Sequence, residues 1–220
     1  MNKILTDAHR LMLVTHPTPT LSETEEVRMA LAGGCRWIQL RMKNGVTLET
    51  AKEVVQLCRD CSREALLFID DEVEMALLAG ADGVHLGKQD MPLQQAWQLV
   101  EKHGRRAPFY IGATANSFED IEAACHAGAS YIGLGPFRFT ETKSRLSPLL
   151  GIEGINRVIK QSRKAGIQLP IYAIGGIELS DVAPLLQAGA TGVAVSGAIV
   201  GAADPETATR QFMQQINHIK

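Results

Sequence analysis

The chain has 220 residues, which places it within the range of one α/β barrel, usually about 200 residues or more. Lys and Arg total 22 and Asp and Glu total 24, so the formal charge is −2 and provides no basic field for nucleic acid. Hydrophobic residues make up 45% of the sequence, enough for a large core, and no apolar run approaches the roughly 18 residues that span a bilayer.

The amino-terminal segment and the cysteines indicate the expected compartment. Residues 1–20 carry charges on both sides of a very short apolar stretch, which is unlike a signal peptide. The four cysteines do not form the pattern of a disulfide framework, and Cys58 and Cys61 have no second pair of ligands at zinc spacing. We therefore expect a cytoplasmic protein with free thiols.

Short apolar runs alternate with helix-compatible stretches along the whole chain. The runs are rich in β-branched or aromatic residues and bounded by Gly, Pro or Asp, which predicts buried strands. The predicted strands are 11–15, 37–40, 66–70, 83–86, 109–112, 131–134, 171–174 and 192–195. The predicted helices are 22–32, 47–61, 71–79, 92–103, 118–127, 152–165, 180–188 and 205–219.

This alternation predicts parallel strands joined by crossover helices. Eight units of about 27 residues match a closed (β/α)8 TIM barrel. A doubly wound open sheet is less favoured, because no G-x-G-x-x-G follows the first strand. No linker or low-complexity segment divides the chain, so we expect a single domain over residues 1–220.

In such a barrel the polar residues at the carboxyl ends of strands lie at the end where this fold places its chemistry. The second strand leads into Gln39, Arg41 and Lys43, which share one face because side chains alternate along a strand. Polar and cationic side chains on an otherwise apolar strand indicate an anionic ligand. The alternative is a loop start where Arg41 and Lys43 face water.

Carboxylates follow the third and fourth strands. Asp70 and Asp71 end the third strand, and Asp90 lies in the short loop after the fourth. Because these strands are neighbours, Asp71 and Asp90 could converge on one hard cation, and Mg2+ typically takes one or two protein carboxylates. The alternative is that Asp70 or Asp71 caps the next helix.

The later strands carry small and hydroxyl residues that suit phosphate. Thr114 is predicted just past the fifth strand, and Thr140, Thr142 and Lys143 follow the sixth, although a plain flexible loop is an alternative there. Two small-residue turns, at 175–176 and 196–198, follow strands seven and eight, where this fold commonly binds phosphate. The sequence thus predicts a cationic, metal-assisted diphosphate site beside a monophosphate site.

The chain resembles the thiamine phosphate synthase family along nearly its whole length. The resemblance implies a (β/α)8 barrel that joins hydroxymethylpyrimidine diphosphate to a thiazole phosphate and releases pyrophosphate with Mg2+. The matching segments are IQLRMK, LLFIDDEVEMALLAGADGVHLGKQDMP, IGATAN, YIGLGPFRFTETK, YAIGGI and GVAVSGAI.

The resemblance also implies roles for individual residues. Asp71 and Asp90 would be the metal ligands. The diphosphate would be bound by Gln39, Arg41, Lys43 and Lys143, with Asp70 and Thr114 also in the substrate site. The thiazole phosphate would be bound by Thr140, Thr142, Gly176, Val195 and Ser196. We expect the catalytic groups to be Arg41, Lys43, Thr114 and Lys143.

The sequence departs from the family pattern at three positions. Asp70 stands where the family usually has Asn, Thr114 where it usually has Ser, and Phe139 where a proline is common. Asp70 adds a negative charge near the diphosphate unless it is protonated or paired with Lys43 or Lys143. The alternatives are a thiazole tautomerase of the same superfamily, which tends to lose the metal and diphosphate residues, or a non-catalytic phosphate-binding barrel.

Two further interpretations concern residues outside these sets. His85, inside the fourth strand, is interpreted as a structural histidine with its hydrogen bonds satisfied, with a role on the ligand side as the alternative. Arg138 and Arg145 flank the loop of Thr140 and Lys143 and could cover the phosphates, with solvated loop charge as the alternative. The oligomeric state stays open.

Overall fold

The computed structural model describes residues 6–42, 44–105, 108–139 and 148–219. Eight parallel strands form a closed barrel in sequence order, and the last strand pairs with the first. The predicted TIM barrel is therefore confirmed. The strands are β1 Leu11–Val14, β2 Trp37–Leu40, β3 Leu66–Asp70, β4 Gly83–Leu86, β5 Tyr110–Ala115, β6 Tyr131–Leu134, β7 Ile171–Ile174 and β8 Gly192–Val195.

Helices follow the strands and cover the outside of the barrel. They are α1 Glu23–Ala32, α2 Leu48–Cys61, α3 Val73–Ala79, α4 Leu93–His103, α5 Phe118–His126, α6 Gly151–Lys164, α7 Val182–Gln187, α8 Gly197–Val200 and α9 Pro205–Asn217. Short 3-10 turns lie at Asp7–His9 and Leu179–Asp181. Within the described residues no helix is long and apolar enough to cross a membrane.

Several helices begin at a side chain that caps the first turn. The hydroxyls of Ser22, Thr47 and Ser117 accept hydrogen bonds from backbone N–H groups three residues later. The Asp204 carboxylate caps α9 in the same way. Such caps satisfy N–H groups that have no partner inside the helix, which explains why the predicted starts lie within about a residue of the observed ones.

Three differences from the prediction concern the ends of strands and helices near the expected site. β5 continues to Ala115, so Thr114 lies inside the strand rather than past its end. α3 begins at Val73, and its cap residue Glu72 makes no side-chain cap bond, so neither Asp70 nor Asp71 caps this helix. The four-residue helix α8 was not predicted, because so short a segment carries no periodic signal.

The lower part of the barrel interior is filled by aromatic rings. Trp37, Phe68, Tyr131 and Tyr172 are fully buried there, with ring centroids of Trp37 and Tyr131 4.7 Å apart. Glycines on neighbouring strands make this possible: a Cβ at Gly112 would lie 2.2 Å from the Tyr131 ring. The interior at this level is thus a packed core and leaves no channel.

A second apolar layer lies between the barrel and its helices. It includes the residues of the strands that alternate with the interior set, such as Leu13, Ile38 and Val84, together with the inner faces of the helices. All four cysteines are free thiols, as expected. Since this layer and the aromatic interior are apolar over most of the barrel, the polar side chains at the carboxyl ends of the strands are the candidates for function.

Candidate active site

A layer of polar side chains lies one step above the aromatic interior, toward the carboxyl ends of the strands. Gln39 follows Trp37 by two residues, and Asp70 follows Phe68 by two. Because side chains alternate along a strand, each polar residue points to the same side as the aromatic residue below it. The layer consists of Gln39, Asp70, His85 and Thr114.

Asp70 is the centre of a compact polar contact. Its Oδ1 accepts a hydrogen bond of 2.5 Å from Gln39 Nε2, and its Oδ2 lies 3.2 Å from Arg41 Nε. The charge of this unusual aspartate is therefore compensated by Arg41 and by the Gln39 amide. The sequence suggests protonation, or pairing with Lys43 or Lys143, as ways to offset this charge, and both lysines lie outside the described residues.

The backbone of Arg41 is held by a threonine at the end of the preceding strand. The Thr15 hydroxyl accepts a 2.8 Å hydrogen bond from the Arg41 N–H and donates one of 2.9 Å to the Arg41 carbonyl. Thr15 is fully buried. Sequence reasoning missed this residue, although the rule that strand-end polar groups belong to the site, applied to β1, would have found it.

The carboxyl groups of Asp71 and Asp90 come close enough together for Asp90 to affect the ionisation of Asp71, as the order of the strands led us to expect. The pKa of Asp71 is raised to about 8 by burial, by the charge of Asp70 and by the neighbouring Asp90. The charge of Arg41 acts in the opposite direction and lowers this pKa. Crowded carboxylates of this kind favour a proton or a cation between them. Their oxygen atoms are the donors that Mg2+ prefers.

The backbone around both aspartates is specialised. Asp71 has a φ of 63°, the left-handed region that non-glycine residues rarely adopt, and its N–H donates to the His85 carbonyl at 2.9 Å. Asp90 Oδ2 accepts a 2.7 Å hydrogen bond from the Gly87 N–H, at a place where a Cβ on residue 87 would lie 2.7 Å from that oxygen.

The loop that carries Asp90 is tied to the next unit of the barrel. Lys88 forms an ion pair of 2.6 Å with Asp120, which also accepts hydrogen bonds from the N–H groups of Asn116 and Ser117. Lys88 was not singled out from the sequence, because a lysine in a loop is usually solvated. Its contact anchors the loop that carries Asp90 to the start of α5.

His85 is buried and bridges two hydroxyl groups. Its Nδ1 lies 2.9 Å from the Tyr131 hydroxyl and its Nε2 lies 2.9 Å from the Thr114 hydroxyl. The histidine is thus satisfied, as interpreted from the sequence, and it also orients Thr114 within the barrel. The chain of contacts connects the aromatic interior to the polar layer.

The glycine turn after β7 and the turn after β8 form the other half of the strand-end surface. Gly175 and Gly176 have φ values of 98° and 68°, in the left-handed region that favours glycine. Ser196 is the N-cap residue of α8. Val195 is buried in the layer between barrel and helices, so only its main chain can face a ligand.

Arg138, which flanks the expected phosphate loop, contacts the loop after β7. Its guanidinium forms a two-pronged contact with Asp181, at 2.9 and 3.1 Å, and donates to the Gly176 carbonyl. It therefore connects the loop after β6 to the loop after β7 as an ion-paired side chain that is 43% exposed.

Several expected site residues lie outside the described residues. These are Lys43, Thr140, Thr142, Lys143 and the flanking Arg145. Their roles stay predictions from the sequence.

The expected magnesium ion needs oxygen donors in a partly open site. The described part of the chain has no cluster of three or more His, Cys, Asp and Glu side chains that could enclose a metal. Mg2+ does not require one, since it keeps several waters and is completed by substrate phosphates. The paired carboxylates of Asp71 and Asp90 fit such a partly open site.

Comparison with known proteins agrees with this geometry. Residues 11–199 match the model of the thiamine monophosphate synthase family. The chain belongs to this family. The thiamine-phosphate synthase of Bacteroides fragilis is 47% identical over 204 residues, covering 92% of this chain and 98% of that protein. That of Bacteroides thetaiotaomicron is 46% identical over 211 residues, covering 96% and 99%.

A solved structure gives the same result for the three-dimensional fold. Thiamine phosphate pyrophosphorylase from Pyrococcus furiosus superposes with a TM-score of 0.83 at 33% identity, covering 96% of this chain and 97% of that one. The family resemblance stated from the sequence is therefore confirmed. Membership of the thiamine monophosphate synthase family makes the chain an enzyme that acts on small-molecule substrates.

Proposed function

We propose that this chain carries out the family's reaction at the carboxyl end of its barrel, condensing hydroxymethylpyrimidine diphosphate with a thiazole phosphate to give thiamine phosphate and pyrophosphate. One observation supports this location above the others. The carboxyl pair of Asp71 and Asp90 lies beside the contact of Arg41 with Asp70, so acidic and cationic groups for a metal-bound diphosphate occur together.

Asp71 and Asp90 would hold the Mg2+ ion. When bound, the ion supplies positive charge that stabilises the departing pyrophosphate. The two aspartates are suited to this because their backbones are held in place, one by the His85 carbonyl and the other by the Gly87 N–H. A preorganised pair costs little rearrangement when the substrate arrives.

Arg41 supplies a fixed cation, and Lys43 and Lys143 are proposed to join it around the diphosphate. The reaction breaks the carbon–oxygen bond to pyrophosphate and forms a bond from the thiazole nitrogen to the same carbon. Negative charge therefore develops on the leaving group, where the cations are placed. Loss of one such contact costs on the order of 3 kcal/mol of transition-state stabilisation.

No general base is required in this scheme. The thiazole nitrogen attacks with its own lone pair, and the electron-rich aminopyrimidine stabilises positive charge at the reacting carbon. Thr114, oriented by His85 at 2.9 Å, can donate its hydroxyl proton in a hydrogen bond to the diphosphate. Gln39, 2% exposed, would orient the pyrimidine substrate from below.

The thiazole phosphate is assigned to the turns after β7 and β8. Gly176 lacks a side chain and Ser196 begins a short helix, so backbone N–H groups can approach phosphate oxygens closely. Thr140 and Thr142 are proposed to complete this half of the site.

The test measures pyrophosphate release from both substrates with Mg2+ and with EDTA. We expect release with Mg2+ and none with EDTA. Asp71→Asn and Asp90→Asn should each lower kcat about 100-fold or more, since each removes a charged metal ligand. The exposed Asp60 on α2 provides the control, and Asp60→Asn should leave kcat unchanged.

Three results would contradict the proposal. Absence of pyrophosphate release by the wild-type chain would overturn the function. Isomerisation of a thiazole carboxylate phosphate without the pyrimidine substrate would favour the tautomerase. Full activity of Asp71→Asn and Asp90→Asn in EDTA would overturn the metal assignment.

A further inference from the structure

Arg138 makes two contacts with the glycine turn after β7. Its backbone N–H donates to the Gly175 carbonyl at 2.9 Å, and its guanidinium Nη1 donates to the Gly176 carbonyl at 2.5 Å. Both carbonyl groups of the turn are therefore bound by one residue from another loop. Position 138 is not among the site residues that the family resemblance implies.

Because peptide groups are planar, these two contacts also fix the direction of the N–H groups on the opposite side of the turn. In a trans peptide the C=O and the N–H of one plane point in opposite directions. Because the Gly175 and Gly176 carbonyls face Arg138, the N–H groups of Gly176 and Ile177 point away from it. These two N–H groups are the ones that a phosphate at this turn would use.

The guanidinium itself is held by a carboxylate. Asp181 binds Nη1 and Nη2 at 2.9 and 3.1 Å, and its Oδ2 also accepts the Glu178 N–H at 2.8 Å. Asp181 is largely buried, with a side chain 13% exposed. The guanidinium N–H groups of Arg138 donate to Asp181 and to the Gly176 carbonyl. Arg138 therefore binds other parts of the protein rather than a ligand.

We propose that Arg138 is a positioning residue for the thiazole phosphate, acting through the Gly175–Gly176 turn and held by Asp181. The inference rests on the proposed function, because it assumes that this turn binds the phosphate. A glycine pair has the freest backbone of any dipeptide, so without the two carbonyl contacts the turn would sample other conformations. Arg138 stabilises the conformation in which the N–H groups of the turn face the phosphate.

The experiment measures kcat and the KM of each substrate for Arg138→Met. We expect the KM of the thiazole phosphate to rise about tenfold, corresponding to loss of a charge-assisted hydrogen bond. The KM of the pyrimidine diphosphate and kcat should stay within about twofold, since binding of the phosphate is common to ground and transition states. Calorimetry with the thiazole phosphate should show the same loss of affinity without turnover.

Four variants separate positioning from a general structural effect. Arg138→Lys keeps the positive charge but cannot make the two parallel hydrogen bonds of the guanidinium. Its affinity for the thiazole phosphate should therefore lie between those of wild type and Arg138→Met. Asp181→Asn should reproduce the defect, and the double variant with Arg138→Met should be no worse than Arg138→Met alone. Arg28→Met removes an ion pair of 3.4 Å with Glu53 on the outer helices and should leave both KM values unchanged.

The outcomes distinguish this inference from the function on which it rests. An inactive wild-type chain would overturn the proposed function. An active wild type with an unchanged thiazole phosphate KM in Arg138→Met, or with both KM values raised equally, would overturn only the role of Arg138. Additive effects of Arg138→Met and Asp181→Asn would overturn their coupling.

Discussion

Single carboxyl groups in this barrel show how burial and partners set their charge. Asp70 is largely buried and is paired with Arg41 and Gln39. Glu26 on α1 is 1% exposed, and its Oε2 accepts the His16 N–H at 2.9 Å, while Oε1 has no hydrogen-bond partner among the described residues. Burial raises the pKa of Glu26 from the ordinary 4.5 to about 7, despite the bond from His16.

This shift predicts a pH dependence of stability. Between the two pKa values the folded state binds more protons than the unfolded state, so the free energy of unfolding falls as pH rises from about 4.5 to about 7. The stability lost through Glu26 is no more than about 3 kcal/mol. Glu26→Gln should therefore gain stability relative to wild type between pH 5 and pH 8, measured by urea unfolding.

A surface glutamate provides the comparison. Glu122 is exposed on α5, and the stability of Glu122→Gln relative to wild type should not change over this pH range. A difference between Glu26→Gln and wild type that is the same at both pH values would show that Glu26 is ionised throughout.

At the scale of elements, the ends of neighbouring strands position the cationic side of the site. Thr15 follows β1 and pairs its hydroxyl with both backbone groups of Arg41, which follows β2. The backbone bond from Thr15 N–H to the Gln39 carbonyl, 3.0 Å, extends the same connection. A side chain thus continues the strand pairing beyond the last regular residue and sets the direction of Arg41.

Replacing this hydroxyl tests the connection. Thr15→Val keeps the shape but removes both hydrogen bonds, leaving the buried backbone groups of Arg41 without them, at a cost of about 1–3 kcal/mol. We expect lower stability and a KM for the pyrimidine diphosphate that rises about fivefold or more. Thr15→Ser retains the hydroxyl and should have nearly wild-type kinetics. Equal KM values for the two variants would contradict the positioning of Arg41.

At the scale of the whole molecule, an aromatic interior supports the polar layer above it. Tyr131 contacts Trp37, Phe68 and Tyr172, and its hydroxyl reaches His85. The hydroxyl of Tyr172 is buried and has no hydrogen-bond partner among the described residues. Two tyrosines in one cluster therefore differ in what their hydroxyl groups contribute.

The two tyrosine hydroxyls should respond differently to removal. Tyr131→Phe removes a buried hydrogen bond to His85 and should lower the free energy of unfolding by about 1–3 kcal/mol. Tyr172→Phe removes an unpaired polar group, so it should be neutral or stabilising by up to about 1 kcal/mol. Urea unfolding of both variants is the measurement. Similar losses in the two variants would contradict the assignment of the hydrogen bonds.

Local patterns were sufficient for the fold and for the composition of much of the site. The alternation of apolar runs with capped helices predicted the parallel barrel, and the period of two along β2 predicted that Gln39 and Arg41 belong together. The order of the strands placed Asp71 and Asp90 at neighbouring positions. These inferences succeed because strand periodicity, capping and chain order depend on residues close together in sequence.

Only the tertiary structure decided which side chains meet. Asp70 pairs with Arg41, and Arg138 forms an ion pair with Asp181. The Thr15 hydroxyl, after β1, donates to the carbonyl of Arg41, after the neighbouring β2. Such choices depend on distances between loops that are far apart in the chain, and packing of the closed barrel sets those distances.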